Sequence, residues 1–240
     1  MLKFELVLPC YNEARSLEFL LKRAVGAAQE FGFSAGEFRL VMVENGSSDD
    51  SARVLENLSQ GPLAEWLGVV KVPVNQGYGF GLLSGLRATS APVVAYSHAD
   101  QQCDPRDAFA AYRIVGDQEK VLVKGTRSGR NWKDRLVTSV FEMIAHIFLG
   151  LGSSEINAQP KVFPRSLLNT LTKAPKDFAF DLYLLYQAER AGFAIRTIAV
   201  KFPPRIHGVS KWAATFLGRY KTILKMIRYI FRLAQEEGRL

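Results

Sequence analysis

Three short runs hold the side chains with chemistry to offer, and each follows an apolar stretch. Val94-Ala95-Tyr96-Ser97-His98-Ala99-Asp100-Gln101-Gln102 passes from an apolar run into alternating polar residues. His98 and Asp100, two apart, point the same way at a strand end, and Gln102 adds a carbonyl oxygen. One imidazole, one carboxylate and one amide make an open donor set for a divalent metal, Mg or Mn, that also binds a diphosphate. The same His-x-Asp pair also serves as a hydrogen-bonded strand terminus. In Leu8-Pro9-Cys10-Tyr11-Asn12-Glu13, Asn12 is placed to cap a following helix. Val43-Glu44-Asn45-Gly46-Ser47-Ser48-Asp49 offers carboxylate and amide groups able to read a nucleobase and ribose. Each of these two runs, alone, also fits an ordinary strand-to-helix turn.

The elements that position these runs are legible from periodicity. Strands are expected at Phe4–Leu8, Phe38–Val43, Val69–Val72, Val93–Tyr96 and Lys120–Val123, with helices between them near Ala14–Glu30, Asp50–Leu58, Gly79–Ala88 and Arg106–Val115. Strands alternating with helices predict an α/β fold with a mostly parallel sheet. Such sheets bind ligands at the C-terminal ends of their strands, where all three runs fall. Beyond residue 130 the pattern is less regular. Trp132–Leu151 is helix-like, but Glu142 and His146 interrupt it, and it is too short and polar to read as a membrane span. A helix over Asp181–Ala191 and a strand over Ala194–Val200 follow, then a Pro/Gly loop, Phe202–Ser210.

The chain has 240 residues and a formal net charge of +8. Its hydrophobic content of 48% excludes a disordered chain. Cys10 and Cys103 form no disulfide or thiolate-metal framework and suggest a reducing compartment. The N-terminus enters a strand-like run without a basic then apolar leader, so no secretory signal is expected. The excess charge is C-terminal: residues 201–240 hold nine Lys or Arg against two Glu. There Phe216, Tyr220, Ile223, Ile227, Ile230 and Ala234 form an apolar stripe, with Lys221, Lys225, Arg228 and Arg232 opposite. That is an amphipathic basic helix, fit either to pack on the core or to lie in an anionic membrane interface. The expected division is residues 1–211 as the main domain and 212–240 as this helix.

In order and spacing the three runs resemble the inverting glycosyltransferases of the GT-A fold, and among them the dolichyl-phosphate mannose synthase group with its bacterial polyprenyl-phosphate relatives. Further pieces carrying the resemblance are Asn75-Gln76-Gly77-Tyr78-Gly79, Gly125-Thr126-Arg127, Arg135 with Ser139, Asn157 through Phe163, and Arg205 through Lys211. The resemblance implies that Pro9, Tyr11, Glu13 and Glu44 contact the nucleoside, and that Asp100 and Gln102 hold Mg or Mn against the donor diphosphate. It implies that Arg127, Arg135 and Ser139 hold an acceptor lipid phosphate, and that Arg205, Ser210 and Lys211 close over the donor phosphates. Arg suits phosphate through its paired donors, and positions 135 and 139 share a helix face. The family usually has Asp-x-Asp where this chain has His98-Ala99-Asp100, which shifts the metal preference toward Mn. It usually has two Asp where this chain has Glu44-Asn45.

The expected reaction is inverting transfer of a hexose-type sugar from a nucleoside diphosphate to dolichyl or undecaprenyl phosphate. It would take place at the cytoplasmic, inner face of a membrane, in peripheral contact with anionic lipid and without nucleic acid. An alternative is transfer to a sugar hydroxyl, with Asp181 as base. A non-catalytic lipid-binding relative is a further alternative. Gly77-x-Gly79-x-Gly81 lacks the spacing of a dinucleotide loop, which sets a Rossmann dehydrogenase aside.

Overall fold

The computed structural model describes residues 1–128, 132–201 and 216–240, with side chains described throughout these except at 132–137 and 216–220. Among the described residues seven strands and seven α-helices alternate: β1 (Phe4–Cys10), α1 (Ala14–Glu30), β2 (Phe38–Asn45), α2 (Ser51–Leu58), β3 (Leu67–Val72), α3 (Tyr78–Arg87), β4 (Val93–Tyr96), α4 (Pro105–Val115), β5 (Val121–Arg127), α5 (Trp132–Leu149), β6 (Lys161–Pro164), α6 (Phe180–Arg190), β7 (Ala194–Val200) and α7 (Phe216–Glu236). The strands form one sheet in the order β3-β2-β1-β4-β6-β5-β7. β6 is antiparallel to both β4 and β5; the other pairings are parallel.

Alternation along the strands builds two cores. Leu6, Leu8, Val123 and Val162 face α1 and α4 through Leu17, Leu20 and Phe109. Val7, Val43, Tyr96 and Phe163 face the other layer, where Leu82, Phe141, Leu184 and Ile230 pack. One buried carboxylate ties the lower edge: Glu5 Oε1 accepts from Arg39 Nε (2.8 Å) and Nη2 (2.6 Å), while Oε2 accepts from the backbone N–H of Ser90 and Ala91.

Sequence periodicity located the early elements closely but missed β6, a four-residue strand that opens with a charged lysine. β2 and β5 also run further than expected, to Asn45 and Arg127, so Glu44, Asn45 and Arg127 lie on strands. In the C-terminal helix, Met226, Tyr229, Ile230, Leu233 and Ala234 are buried in the same core as α5 and α6. The later part of its apolar stripe therefore packs on the protein. Among the described residues, no helix is long and apolar enough to cross a membrane.

Candidate functional site

The strand ends carrying the motifs stand side by side. In the parallel register Cys10 pairs with Glu44, and β4 flanks β1 on its other side. This places Tyr11–Glu13, Glu44 and the His98–Gln102 loop along one edge of the sheet. β6 runs in reverse, so its first residue, Lys161, lies at the same edge, opposite Tyr96 and Lys124.

Much of the polar material in the first two motifs builds the edge itself. Asn12 does not cap α1: it sits at φ 58°, and its side chain exchanges hydrogen bonds with Ser48, Nδ2 donating to Oγ and Oδ1 accepting from N–H. The N–H groups at the start of α1 are met from the β2–α2 turn instead. Asn12 N–H donates to Ser47 Oγ, Glu13 N–H to Ser51 Oγ, and Ala14 N–H to Asp49 Oδ2. Asp49 is thus a structural carboxylate: hydrogen bonds from the Ser51 hydroxyl and N–H and from Ala14 N–H hold its carboxyl below the ordinary range despite partial burial. Glu44 is buried, with Oε1 accepting from Ser47 N–H at 2.6 Å. Tyr11 is exposed beside it. Pro9, Tyr11, Glu13 and Glu44 thus lie at or just past the ends of two adjacent parallel strands.

Gly46 and Gly77 join the edge to α3. Gly46 has φ 66°, and a Cβ there would lie 2.4 Å from Asn75 N. Gly77 has φ 111°, and its Cβ would lie 2.3 Å from the Lys176 carbonyl. Asn45 Nδ2 donates to the Gly77 carbonyl at 3.2 Å, and its Oδ1 is buried without a hydrogen-bond partner.

Asp100 is buried just past β4, with Oδ1 accepting from Gln102 N–H at 3.2 Å. Half-buried His98 lies 6.3 Å, ring to ring, from Tyr78, which stacks on Phe178 at 5.2 Å. Among the described residues no group of three His, Cys, Asp or Glu side chains is placed to hold a metal. His98, Asp100 and Gln102 lie on one loop past β4; an ion held there would have to take its remaining ligands from diphosphate oxygens and water. Nearby Cys103 is buried, and that burial pushes its thiol up to about 11, which leaves no thiolate at neutral pH.

Below this loop lies a network that sequence reasoning missed. Asp181 Oδ1 accepts from Tyr96 Oη (2.7 Å), Gln159 Nε2 (3.0 Å) and the Lys161 ammonium. Asp181 is only 3% exposed, and Lys161 is fully buried. Burial and the adjacent Asp181 charge hold the Tyr96 phenol well above its ordinary range. The sequence signal was a lysine next to Val162-Phe163 in an apolar strand, where an unpaired charge is not tolerated.

The acceptor-phosphate residues are only partly described. Arg127 ends β5, its Nε 2.6 Å from Glu155 Oε2. Ser139 is exposed on α5. The Arg135 side chain, and Arg205, Ser210 and Lys211, lie outside the described residues. Glu142 and His146 do not pair with each other: Glu142 accepts from Glu155 N–H, and His146 Nδ1 contacts the Leu151 carbonyl.

The undecaprenyl-phosphate 4-deoxy-4-formamido-L-arabinose transferase of Edwardsiella ictaluri is 28% identical over 212 residues, covering 86% of this chain and 62% of that protein. The protein of the same name from Pseudomonas fluorescens is 26% identical over 218 residues, covering 87% and 60%. The chain thus spans about three fifths of the length of these curated relatives. Among solved structures, glucosyl-3-phosphoglycerate synthase from Mycobacterium tuberculosis, in complex with Mn2+, UDP and glucosyl-3-phosphoglycerate, superposes with a TM-score of 0.70 at 20% identity, covering 97% of this chain and 79% of that one. Mannosyl-3-phosphoglycerate synthase from Rubrobacter xylanophilus gives 0.71 at 17% identity, covering 100% and 76%. These likenesses show the GT-A fold. The sequence profile of glycosyl transferase family 2 matches residues 5–181, from the first strand to the buried Asp181, and the chain belongs to that family.

Proposed function

We propose that this protein moves a sugar from a nucleoside diphosphate to the phosphate of a polyprenyl carrier, with inversion at the anomeric carbon. The observation that carries the reading is the state of Asp181. A sugar hydroxyl must lose its proton to a base, and the carboxylate best placed in sequence for that task is buried, with one oxygen held by Lys161, Tyr96 and Gln159. A phosphate acceptor is already ionised near neutral pH, its second pKa being about 6, and needs no base. The named acceptor of the Edwardsiella and Pseudomonas relatives, undecaprenyl phosphate, supports the same choice.

In this reading a phosphate oxygen attacks the anomeric carbon, the bond to the diphosphate oxygen breaks, and the electron pair leaves on that oxygen. The protein's part is alignment and charge. Glu44, set by the Ser47 N–H, and Tyr11 with Pro9 and Glu13 orient the nucleoside. Asp100, with His98 and Gln102, would hold a divalent ion, Mn fitting the imidazole better than Mg, and would thereby set positive charge against the leaving diphosphate. Arg205, Ser210 and Lys211 close over the donor phosphates. Arg127, which ends β5, holds the acceptor phosphate together with Arg135 and Ser139. The sugar is hexose-type in this reading, and the reaction runs at the inner face of a membrane.

The test is transfer from radiolabelled UDP- and GDP-hexoses, and from the nucleotide-activated formamido-arabinose, to a short polyprenyl phosphate with Mg or Mn. Product with the phosphate acceptor and none with a free glycan is expected. Transfer only to hydroxyl acceptors would reject the reading.

A further inference from the structure

Helix α5 has an outer face of unexpected composition. Its inner side, Phe141, Ala145 and Leu149, is buried. Its outer side should be polar, yet Val140, Met143 and Ile147 stand 45%, 55% and 64% exposed. Positions 140, 143 and 147 form one stripe of a helix. The stripe continues onto the neighbouring helix: Phe148 of α5 meets Phe231 of α7 edge-on at 4.6 Å, and Phe231 is itself 37% exposed. Beside it, α7 turns Lys221, Arg228 and Arg232 to solvent, on the side opposite its buried Met226, Ile230 and Leu233. Among the described side chains of α5 the acidic one, Glu142, is half-buried and engaged by the Glu155 N–H.

We propose that the outer faces of α5 and α7 together form a docking surface for an anionic lipid bilayer. α5 supplies the apolar part that enters the interface, and α7 supplies the cations that meet the head groups. An apolar stripe bordered by Lys and Arg is the chemistry of interfacial helices, and each cation near an anionic surface strengthens binding. This revises the expectation for α7 taken alone, because Ile230 and Ala234 of its apolar stripe are already covered by the core. A second copy of the chain fits the surface poorly: two-fold pairing of one patch with itself would bring two Lys221-Arg228-Arg232 stripes together. The inference deepens the proposed function and rests on it in one respect. Ser139, placed there with the acceptor phosphate, immediately precedes Val140, so the docked stripe would start where a lipid head group must arrive.

The experiment is co-sedimentation of the full chain with vesicles of phosphatidylglycerol and of phosphatidylcholine. The wild type is expected to bind the anionic vesicles and to release at high salt. Met143→Glu/Ile147→Glu should lose at least tenfold in vesicle affinity. The Lys221→Gln/Arg228→Gln/Arg232→Gln variant should lose affinity for the anionic vesicles by a similar factor. Phe19→Glu alters another exposed apolar residue, on α1 in the other layer, and should bind as wild type. All altered side chains are exposed, and an unchanged Tm confirms the fold. Wild-type sedimentation of Met143→Glu/Ile147→Glu would overturn the proposal. So would light scattering that shows a wild-type dimer converted to monomer by that variant. Transfer to a short water-soluble prenyl phosphate, without vesicles, should be the same in wild type and Met143→Glu/Ile147→Glu. Its absence in wild type would reject the acceptor reading and leave the docking result to be judged by sedimentation.

Discussion

Lys161, the first residue of the reversed strand β6, places its ammonium against the Asp181 carboxylate of α6 inside the core. A buried pair of this kind contributes little net stability compared with an apolar pair, but breaking it is costly, because the remaining charge has no water and no partner. Lys161→Met is therefore expected to destabilise the protein by about 3–5 kcal/mol. Lys161→Met/Asp181→Leu should recover most of that loss. Urea unfolding of the three proteins checks both, and equal midpoints for single and double variants would contradict the buried-pair account.

The same pair separates the two acceptor classes. With a phosphate acceptor, Asp181→Asn should keep the rate per folded molecule within roughly tenfold, whereas a general base contributes about 100- to 10,000-fold. Arg135→Ala should cripple transfer to polyprenyl phosphate. One assay with a short polyprenyl phosphate, normalised by thermal melts, reads both variants. Collapse at Asp181 with a healthy Arg135 variant would favour the hydroxyl acceptor.

Asp100→Ala should abolish turnover and metal-dependent nucleotide binding while the melting temperature stays near wild type, since Asp100 lies in the loop past β4. His98→Asp should move the preference from Mn toward Mg, because a carboxylate is the harder ligand. Nucleotide titrations with each metal measure both, and an identical metal profile for His98→Asp would remove His98 from the donor set.

Gly77→Ala should cost about 1–3 kcal/mol from its left-handed backbone alone. Its Cβ would also meet the Lys176 carbonyl at 2.3 Å, so the loss should reach the high end and weaken nucleotide binding through Asn45. Gly26→Ala is the matched control. Gly26 sits within α1 with open space around it, and alanine there should add about 0.5–1 kcal/mol. Equal melting temperatures for the two variants would mean that the Gly77 turn is not constrained.

Lys124 faces Lys161 across β5 and β6. Burial, then the neighbouring Lys161 charge, lowers its ammonium to about 8, against about 10.4 in an unfolded chain. Between these values the unfolded state binds the proton and the folded state does not, so stability rises with pH, with a slope of up to about 1.4 kcal/mol per pH unit. Below pH 8 both states are protonated and the folded state bears the cost of the buried charge. The stability of wild type relative to Lys124→Met should therefore increase from pH 8 to pH 10 in urea titrations. A constant difference would place the Lys124 ammonium in water.

The alternation of apolar runs with helical periods determined the α/β class and most of the parallel sheet, because side-chain period is a local property that burial reads directly. The motif runs located the edge along which Tyr11, Glu44 and Asp100 lie, since a parallel sheet gathers its strand ends by topology. Local pattern did not reveal which polar residues build that edge and which face a ligand. Asn12 and Asp49 were chemically able to do either, and only their pairing with Ser48 and Ala14 across two turns assigns them to structure. Nor did local pattern reveal that a reversed strand brings Lys161 against Asp181, the candidate base. The apolar positions of α5 and α7 had equal claims to the core. Tertiary packing decided that Met226, Ile230 and Leu233 are covered while Met143 and Ile147 are not, because a helix period marks an apolar face without naming the surface that covers it.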